Sequence, residues 1–198
     1  SKTGIERSFQ LRGYLMRSIK DWYRFFRGDA DIPSLKKKGL IIGDNCSIQP
    51  RCLIDPPHCW LISIGDNVTL APNVTILAHD ASTKRVLGYT KIGLVTIGDN
   101  CFIGAGTIIL PGSSIGDNCI IGAGSVVSGD IPQGKVAVGV PAKPISETDN
   151  YFAKLRDKLQ ESSSVFESEW TVKGGITESM KNEMREILLK SSRIGFVR

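Results

Sequence analysis

Two histidines, His58 and His79, are the side chains of this 198-residue chain best suited to acid–base chemistry near neutral pH, and the chain has no others. An imidazole with an ordinary pKa of about 6.5 can take a proton from a hydroxyl group and release it again. His79 lies in "LAHDASTK", directly before Asp80, and His58 lies in "DPPHCW". What either side chain can do depends on the elements that position it.

A six-residue repeat dominates the middle of the chain. Branched aliphatic residues recur every sixth position in three runs, and a second register of small or apolar residues precedes each next aliphatic by two. The aliphatic register is Ile42, Ile48, Ile54, Ile64, Leu70, Ile76, Ile97, Ile103, Ile109, Ile115, Ile121 and Val127. The small register is Cys46, Cys52, Val68, Val74, Cys101, Thr107, Ser113, Cys119, Ser125 and Ile131.

This repeat predicts a parallel β-helix with a triangular cross-section. Residues two apart on a strand face the same side, so each hexapeptide presents one small and one branched side chain to an interior. Gly-Asp-Asn and Gly-Ala-Gly segments between them suit tight corners, because Gly and Asn tolerate left-handed backbone angles. Three strands and three corners close a coil in 18 residues, which stacks Ile97 on Ile115 and Ile103 on Ile121.

The cysteines fit this interior. Four of the five occupy the small register, where a thiol behaves as a compact apolar group. No CxxC pair occurs, so the sequence predicts neither a zinc site nor a required metal.

The repeat breaks twice. Each break follows a polar residue, His58 or Asp80, at a position where the small register would continue. Ten residues separate Ile54 from Ile64, with His58 between them, and twenty-one separate Ile76 from Ile97. The second break predicts a protruding loop over residues 80–94, with His79 at its mouth. Loops on rigid scaffolds often carry function, so this loop is the candidate functional region.

The flanking segments predict helical extensions on either side of the β-helix, giving segments 1–40, 41–145 and 146–198. The net charge is +5, and residues 1–40 hold ten basic and four acidic side chains. Residues 5–26 read as a basic amphipathic helix that packs on protein or contacts an anionic membrane face. No nucleic-acid-binding motif accompanies the charge. Near the C-terminus, residues 150–160 read as a short helix, and Thr177 is expected to cap a second one.

Several motifs together resemble a known family. "APNVTILAHD" before the long loop, "IGAGTIILPG", "IGAGSVV" and the closing "IPQGKVAVGVPAKPI" resemble the left-handed β-helix acyltransferases, particularly the maltose, galactoside and polysaccharide O-acetyltransferase branch. The resemblance covers residues 42–145. It implies a left-handed helix, a homotrimer, and acetyl-CoA in the groove between two subunits.

The resemblance also implies roles for single residues. His79 matches the general base, the backbone N–H near Ala105 would stabilise the oxyanion, and Ala123, one coil away, would bind the pantetheine arm. Phe102 stands where many relatives have Trp. Ser128 and Lys143 are candidates for the coenzyme's phosphates; relatives often have a lysine beside the position of Ser128, and this chain has Gly129 there.

Other residues have weaker assignments. Asn73 and Asp55 are candidates for the acceptor side, although turn chemistry explains both equally well. His58 is expected to be structural or to line the acceptor site. Asp80 is not expected to orient His79, because neighbours on an extended chain point to opposite sides.

The implied activity is acetyl-CoA-dependent transfer to a hydroxyl of a polysaccharide, glycolipid or glycoside in the cytoplasm, with inner-membrane contact left open. Three alternatives stay open: transfer to the amino group of an amino sugar or antibiotic, a non-catalytic β-helix scaffold, and a zinc carbonic anhydrase on this fold. The last needs three histidines per site, and the chain has two.

Overall fold

The computed structural model describes residues 29–198, so the amphipathic helix expected over residues 5–26 lies outside the described residues. The chain divides into two compact units, Ser1–Ile145 and Ser146–Arg198. Within the described residues, no helix is both long and apolar enough to cross a membrane.

The first unit is a parallel β-helix with three faces, as predicted. After a short helix α1 (Ile32–Lys37), short strands, most of them of two or three residues, stack into three sheets. Face A consists of β1 (Ile41–Ile42), β4 (Ile62–Ile64), β9 (Val95–Ile97), β12 (Ser114–Ile115) and β15 (Asp130–Ile131). Face B consists of β2 (Ser47–Ile48), β5 (Thr69–Leu70), β10 (Phe102–Ile103), β13 (Ile120–Ile121), β16 (Lys135–Gly139) and β17 (Ala142–Glu147). Face C consists of β3 (Leu53–Ile54), β6 (Thr75–Ile76), β11 (Ile108–Ile109) and β14 (Val126–Val127).

The strand register confirms the predicted stacking. Ile97 pairs with Ile115, and Ile103 pairs with Ile121. From Ile54 onward the aliphatic register is at most 3% exposed, and the small register from Cys52 onward is at most 4% exposed. Ile42, Ile48 and Cys46, at the N-terminal end of the helix, are only partly buried. Burial of this continuous column of side chains is the main stabilising contribution to the unit.

The Gly-Asp-Asn corners between faces A and B are tied together by carboxylates. The backbone N–H of Asp44 donates to Asp66 Oδ1 (2.6 Å), that of Asp66 to Asp99 Oδ1 (2.7 Å) and that of Asp99 to Asp117 Oδ1 (2.9 Å). The asparagine after each of these aspartates has a positive φ of 55–57°. Each corner therefore links its backbone to the corner of the next coil.

The two breaks in the repeat lie at the corner between faces C and A. The first is filled by a 3₁₀ turn, Cys59–Leu61. The second is a hairpin in which β7 (His79–Asp80) pairs antiparallel with β8 (Lys91–Ile92), with a one-turn helix α2 (Lys84–Leu87) between them. We call residues 79–94 the hairpin loop.

The second unit contains the two helices expected near the C-terminus. Helix α3 spans Thr148–Glu161 and α4 spans Glu178–Lys190. The predicted cap is confirmed, since Thr177 Oγ1 accepts a hydrogen bond from the Met180 N–H at 3.2 Å. A 3₁₀ turn, Ser168–Trp170, follows β18 (Val165–Phe166), which pairs in parallel with β19 (Phe196–Val197).

Candidate functional site

The corner between faces C and A brings together Asp55, His58 and His79. Asp55 directly follows β3 and His79 begins β7, three residues after β6. Because Ile54 pairs with Ile76, residues 55 and 77 are stacked neighbours, and the Asp55 N–H donates to the Ile76 carbonyl at 3.0 Å. Stacking of two coils thus places a carboxylate beside an imidazole that lies 24 positions away in the sequence.

Asp55 is buried and binds both the backbone just before the hairpin loop and the imidazole ring of His79. It is 1% exposed, and its Oδ2 accepts hydrogen bonds from the Ala78 N–H (2.9 Å) and from Nδ1 of His79 (2.5 Å). A carboxylate has only acceptor atoms, so this contact requires a proton on Nδ1. In neutral His79 the other ring nitrogen, Nε2, then carries the lone pair. The His79 side chain is 30% exposed, so solvent-borne molecules can approach the ring.

His58 lies against His79. Their ring centroids are 4.7 Å apart with a 36° tilt, and the centroid of the Trp60 ring is 5.4 Å from that of His58. His58 Nδ1 is buried and has no hydrogen-bond partner within residues 29–198, and the same is true of Asp55 Oδ1. One potential ligand atom from each of Asp55, His58 and His79 lies within 4.8 Å of the others, which makes this cluster able to hold a metal ion.

Asp80 makes its polar contacts within the hairpin loop, with Ser82 and Lys91, as expected if it does not orient His79. Its Oδ1 accepts a hydrogen bond from the Ser82 N–H at 2.9 Å, and its Oδ2 lies 3.7 Å from Lys91 Nζ. The hydrogen bonds from the backbone and side chain of Ser82, assisted by Lys91, hold the pKa of this carboxyl below its usual range. Asp80 therefore stabilises the hairpin loop as an anion.

The hairpin loop exposes an unusual amount of apolar surface. Its large side chains Val86, Leu87, Tyr89, Ile92 and Leu94 are 56–79% exposed. The loop is nevertheless well anchored, since Gly93 N–H donates to the Ala78 carbonyl and Thr83 Oγ1 to the Tyr89 carbonyl. An ordered loop with an apolar outer surface is typical of a contact with another protein surface.

Ala105 and Ala123 lie at a different corner, between faces B and C. Both are exposed, and the Gly124 N–H donates to the Ala105 carbonyl at 2.8 Å, which stacks the two residues one coil apart. In the described part of the chain neither alanine's own amide N–H has a hydrogen-bond partner. These two amides therefore form a ladder of free donors with a spacing of about 4.8 Å.

The remaining predicted residues are spread over the surface of the first unit. Phe102 projects from face B and is 46% exposed, and Lys143 is exposed on β17 at the end of the same face. Ser128 is exposed at the corner between faces C and A. Asn73 is exposed at the corner between faces B and C with φ 62°. Face C thus separates Asn73 from His79 within one chain.

The assignment of Asp55 to the acceptor side stays a prediction. The structure places this carboxylate inside the corner, 1% exposed and bound through Oδ2 to the Ala78 N–H and to His79. Counting along the repeat would have shown that Asp55 and His79 follow stacked strands, β3 and β6, although it would not have given the directions of their side chains.

Comparisons with known proteins agree with this fold. A model described as bacterial transferase hexapeptide (six repeats) matches residues 95–129, and one described as hexapeptide repeat of succinyl-transferase matches residues 39–78. Galactoside O-acetyltransferase of Lactococcus lactis is 37% identical over 145 residues, covering 58% of this chain and 68% of the relative. Galactoside O-acetyltransferase of Escherichia coli is 45% identical over 94 residues, covering 46% of each chain. A solved structure of galactoside acetyltransferase in complex with coenzyme A is 29% identical, with a TM-score of 0.48 over 67% of this chain and 80% of that one.

The chain belongs to the hexapeptide-repeat acetyltransferase family, and its first unit is the left-handed parallel β-helix of that family. It spans about half the length of several curated relatives that it matches.

Proposed function

We propose that this protein transfers an acetyl group from acetyl-CoA to a hydroxyl of a carbohydrate, with His79 as the general base. The observation that carries the proposal is the imidazole held by a buried carboxylate at the mouth of the hairpin loop. The names of the related galactoside O-acetyltransferases support the choice of acceptor class.

The proposed reaction is a direct transfer between two bound substrates. Nε2 of His79 takes the proton of the sugar hydroxyl while the oxygen attacks the thioester carbonyl carbon. The carbon–sulfur bond then breaks, and the imidazolium returns its proton to the departing sulfur of coenzyme A. Asp55 orients the ring and stabilises its cationic form throughout, because its Oδ2 accepts the hydrogen bond from Nδ1.

The proposed oxyanion donor is the free amide N–H at Ala105, and the amide at Ala123 would bind the pantetheine arm. Within one chain these donors lie at the corner between faces B and C, whereas His79 lies at the corner between faces C and A. A complete site therefore needs two chains side by side, and a closed ring of three supplies three such sites. The exposed apolar residues of the hairpin loop would contact the neighbouring chain.

The other predicted residues keep supporting roles in this proposal. Phe102 would provide an aromatic wall for the coenzyme, Lys143 a positive charge for its phosphates, and Ser128 a polar contact near them. Asn73, which lies at the same corner as Ala105, would contribute to the acceptor side of the groove shared by two chains.

The first test is a calorimetric titration of acetyl-CoA into the wild-type protein. Saturable binding together with transfer to glycosides is expected, and a protein that does not bind acetyl-CoA would instead be a scaffold. His79→Gln should abolish transfer while retaining acetyl-CoA binding; near-normal transfer by this variant would refute the role of His79. A matched panel of hydroxyl and amino sugars distinguishes O-transfer from N-transfer.

Mixing two inactive variants tests the shared site. His79→Gln and Ala105→Trp chains each lack one half of every site, but a mixed ring joins an intact His79 to an intact Ala105. Random co-assembly of equal amounts should restore about one quarter of the wild-type sites. No recovery from co-assembled chains would mean that both halves of a site come from one chain.

A further inference from the structure

We propose that Asp55, His58 and His79 form a binding site for one divalent transition-metal ion, Zn²⁺, per chain. The three residues each offer a ligand atom, and these atoms lie within 4.8 Å of one another. Two strands and a corner of the rigid β-helix hold them, so the cluster needs only small side-chain movements to close around an ion.

The second observation is that the cluster contains buried polar atoms with nothing to bond. Asp55 Oδ1 and His58 Nδ1 are both buried and lack a hydrogen-bond partner within residues 29–198. Buried polar atoms are nearly always paired, and each exception calls for an explanation. A metal ion bound to both atoms would satisfy them at once, while Asp55 Oδ2 keeps its bond to the Ala78 N–H.

The chemistry of the ligands favours zinc over the common hard cations. Two imidazole nitrogens and one carboxylate oxygen are ligands that Zn²⁺ accepts in tetrahedral sites with three protein ligands. Ca²⁺ and Mg²⁺ require six or more oxygen ligands, which this mixed cluster does not offer. The fourth position of a tetrahedral ion at this site would remain open to water or an anion.

Zinc at this site would inhibit acetyl transfer. An ion shared with Asp55 would be bound by Nδ1 of His79, the nitrogen that faces Asp55. Neutral His79 then carries its proton on Nε2 and has no lone pair left for a hydroxyl proton. This inhibition rests on the proposed function of His79, whereas the binding of the ion rests only on the cluster. The site would therefore be an inhibitory zinc site of the enzyme.

The test uses the full chain, freed of metal with a chelator and titrated with ZnCl₂ by calorimetry. One ion per chain is expected, and His58→Gln should weaken its affinity at least tenfold, roughly the lower bound for losing a metal-site interaction. Addition of Co²⁺ should give the visible absorption of a four-coordinate ion, and His58→Gln should remove it. Circular dichroism and the melting temperature establish that the variant is folded, and His79→Gln serves as a second ligand variant.

Two control variants keep the interpretation specific. Asp80→Asn alters the carboxyl next to His79 that does not contact the cluster, and Cys46→Ser removes a partly exposed thiol elsewhere. Both should bind Zn²⁺ as the wild type does. Unchanged zinc affinity in folded His58→Gln, or loss of binding in Cys46→Ser, would overturn the proposed site.

The possible outcomes distinguish a failure of the proposed metal site from a failure of the proposed function. If Zn²⁺ binds and depends on His58 but leaves acetyl transfer unaffected, the metal site stands and the role of His79 as base fails. If Zn²⁺ does not bind and His79→Gln abolishes transfer, the metal site fails and the proposed function stands.

Discussion

Replacing Asp55 by asparagine tests whether the buried carboxylate positions the proposed base. In the wild type, Oδ2 accepts hydrogen bonds from two donors, the Ala78 N–H and the Nδ1–H of His79. Asparagine has the same shape, and its one oxygen can still accept from both donors. The charge is lost, however, and the amide NH₂ group then takes the position of Oδ1, which is buried without a partner.

The expected loss of activity follows from the negative charge of Asp55, which strengthens its hydrogen bond to the His79 ring. A hydrogen bond to a charged group contributes about 2 kcal/mol, and His79 needs this one most when it carries the transferred proton. Losing about 2 kcal/mol from the transition state lowers the rate roughly thirty-fold. Because Asp55 is buried and does not touch either substrate in the proposed mechanism, kcat should fall while KM for acetyl-CoA stays the same.

The assay is steady-state acetyl transfer from acetyl-CoA to the best glycoside of the acceptor panel, with nitrogen NMR of the two imidazoles as a structural readout. Wild-type His79 should show a protonated Nδ1 in its neutral form, and Asp55→Asn should shift its tautomer equilibrium. Asp80→Asn is the matched control, since Asp80 contacts Ser82 and Lys91 and not His79. Wild-type kcat in folded Asp55→Asn, or an equal loss in Asp80→Asn, would refute the reasoning.

Three further predictions concern stability and reactivity. Gly98→Ala should destabilise the β-helix by about 1–3 kcal/mol in urea unfolding, because the new Cβ would lie 2.2 Å from Asp117 Oδ1; an unchanged midpoint would contradict the tight packing of the corners. Thr177→Ala should cost about 1 kcal/mol by removing the cap on the Met180 N–H, seen as faster amide exchange in the first turn of α4; wild-type exchange there would rule out the cap. In native protein only the thiol of Cys46 should react quickly with a thiol reagent, since the other four cysteines are buried. In unfolded protein all five thiols should react quickly. More than one fast-reacting thiol in native protein would show that the interior opens.

The fold could be predicted in detail because its information is local and periodic. A branched residue every sixth position and a small residue two positions before the next one fix both the strand faces and the coil length. Once the coil is 18 residues long, the pairing of Ile103 with Ile121 follows by counting, and the structure confirms it. The cap at Thr177 was equally predictable, because capping involves residues only three positions apart.

The site was only partly predictable. The broken repeat and the adjacent motif indicated His79, but they indicated nothing about its partner. Asp55 was only a weak candidate for the acceptor side, because turn chemistry explains an aspartate before proline equally well. The hydrogen bond between the two residues spans 24 positions, and it becomes visible only when the enlarged first corner is stacked on the second.

The sequence by itself therefore determined the β-helix, its interior and the position of the hairpin loop, since each can be read from the six-residue repeat and its two breaks. Only the tertiary structure decided that Asp55 holds His79 and that His58 lies against it with an unpaired nitrogen. These relations depend on how irregular corners of different coils meet in space. A periodic pattern specifies the regular coils, and it carries no information about the side-chain directions where the period is broken.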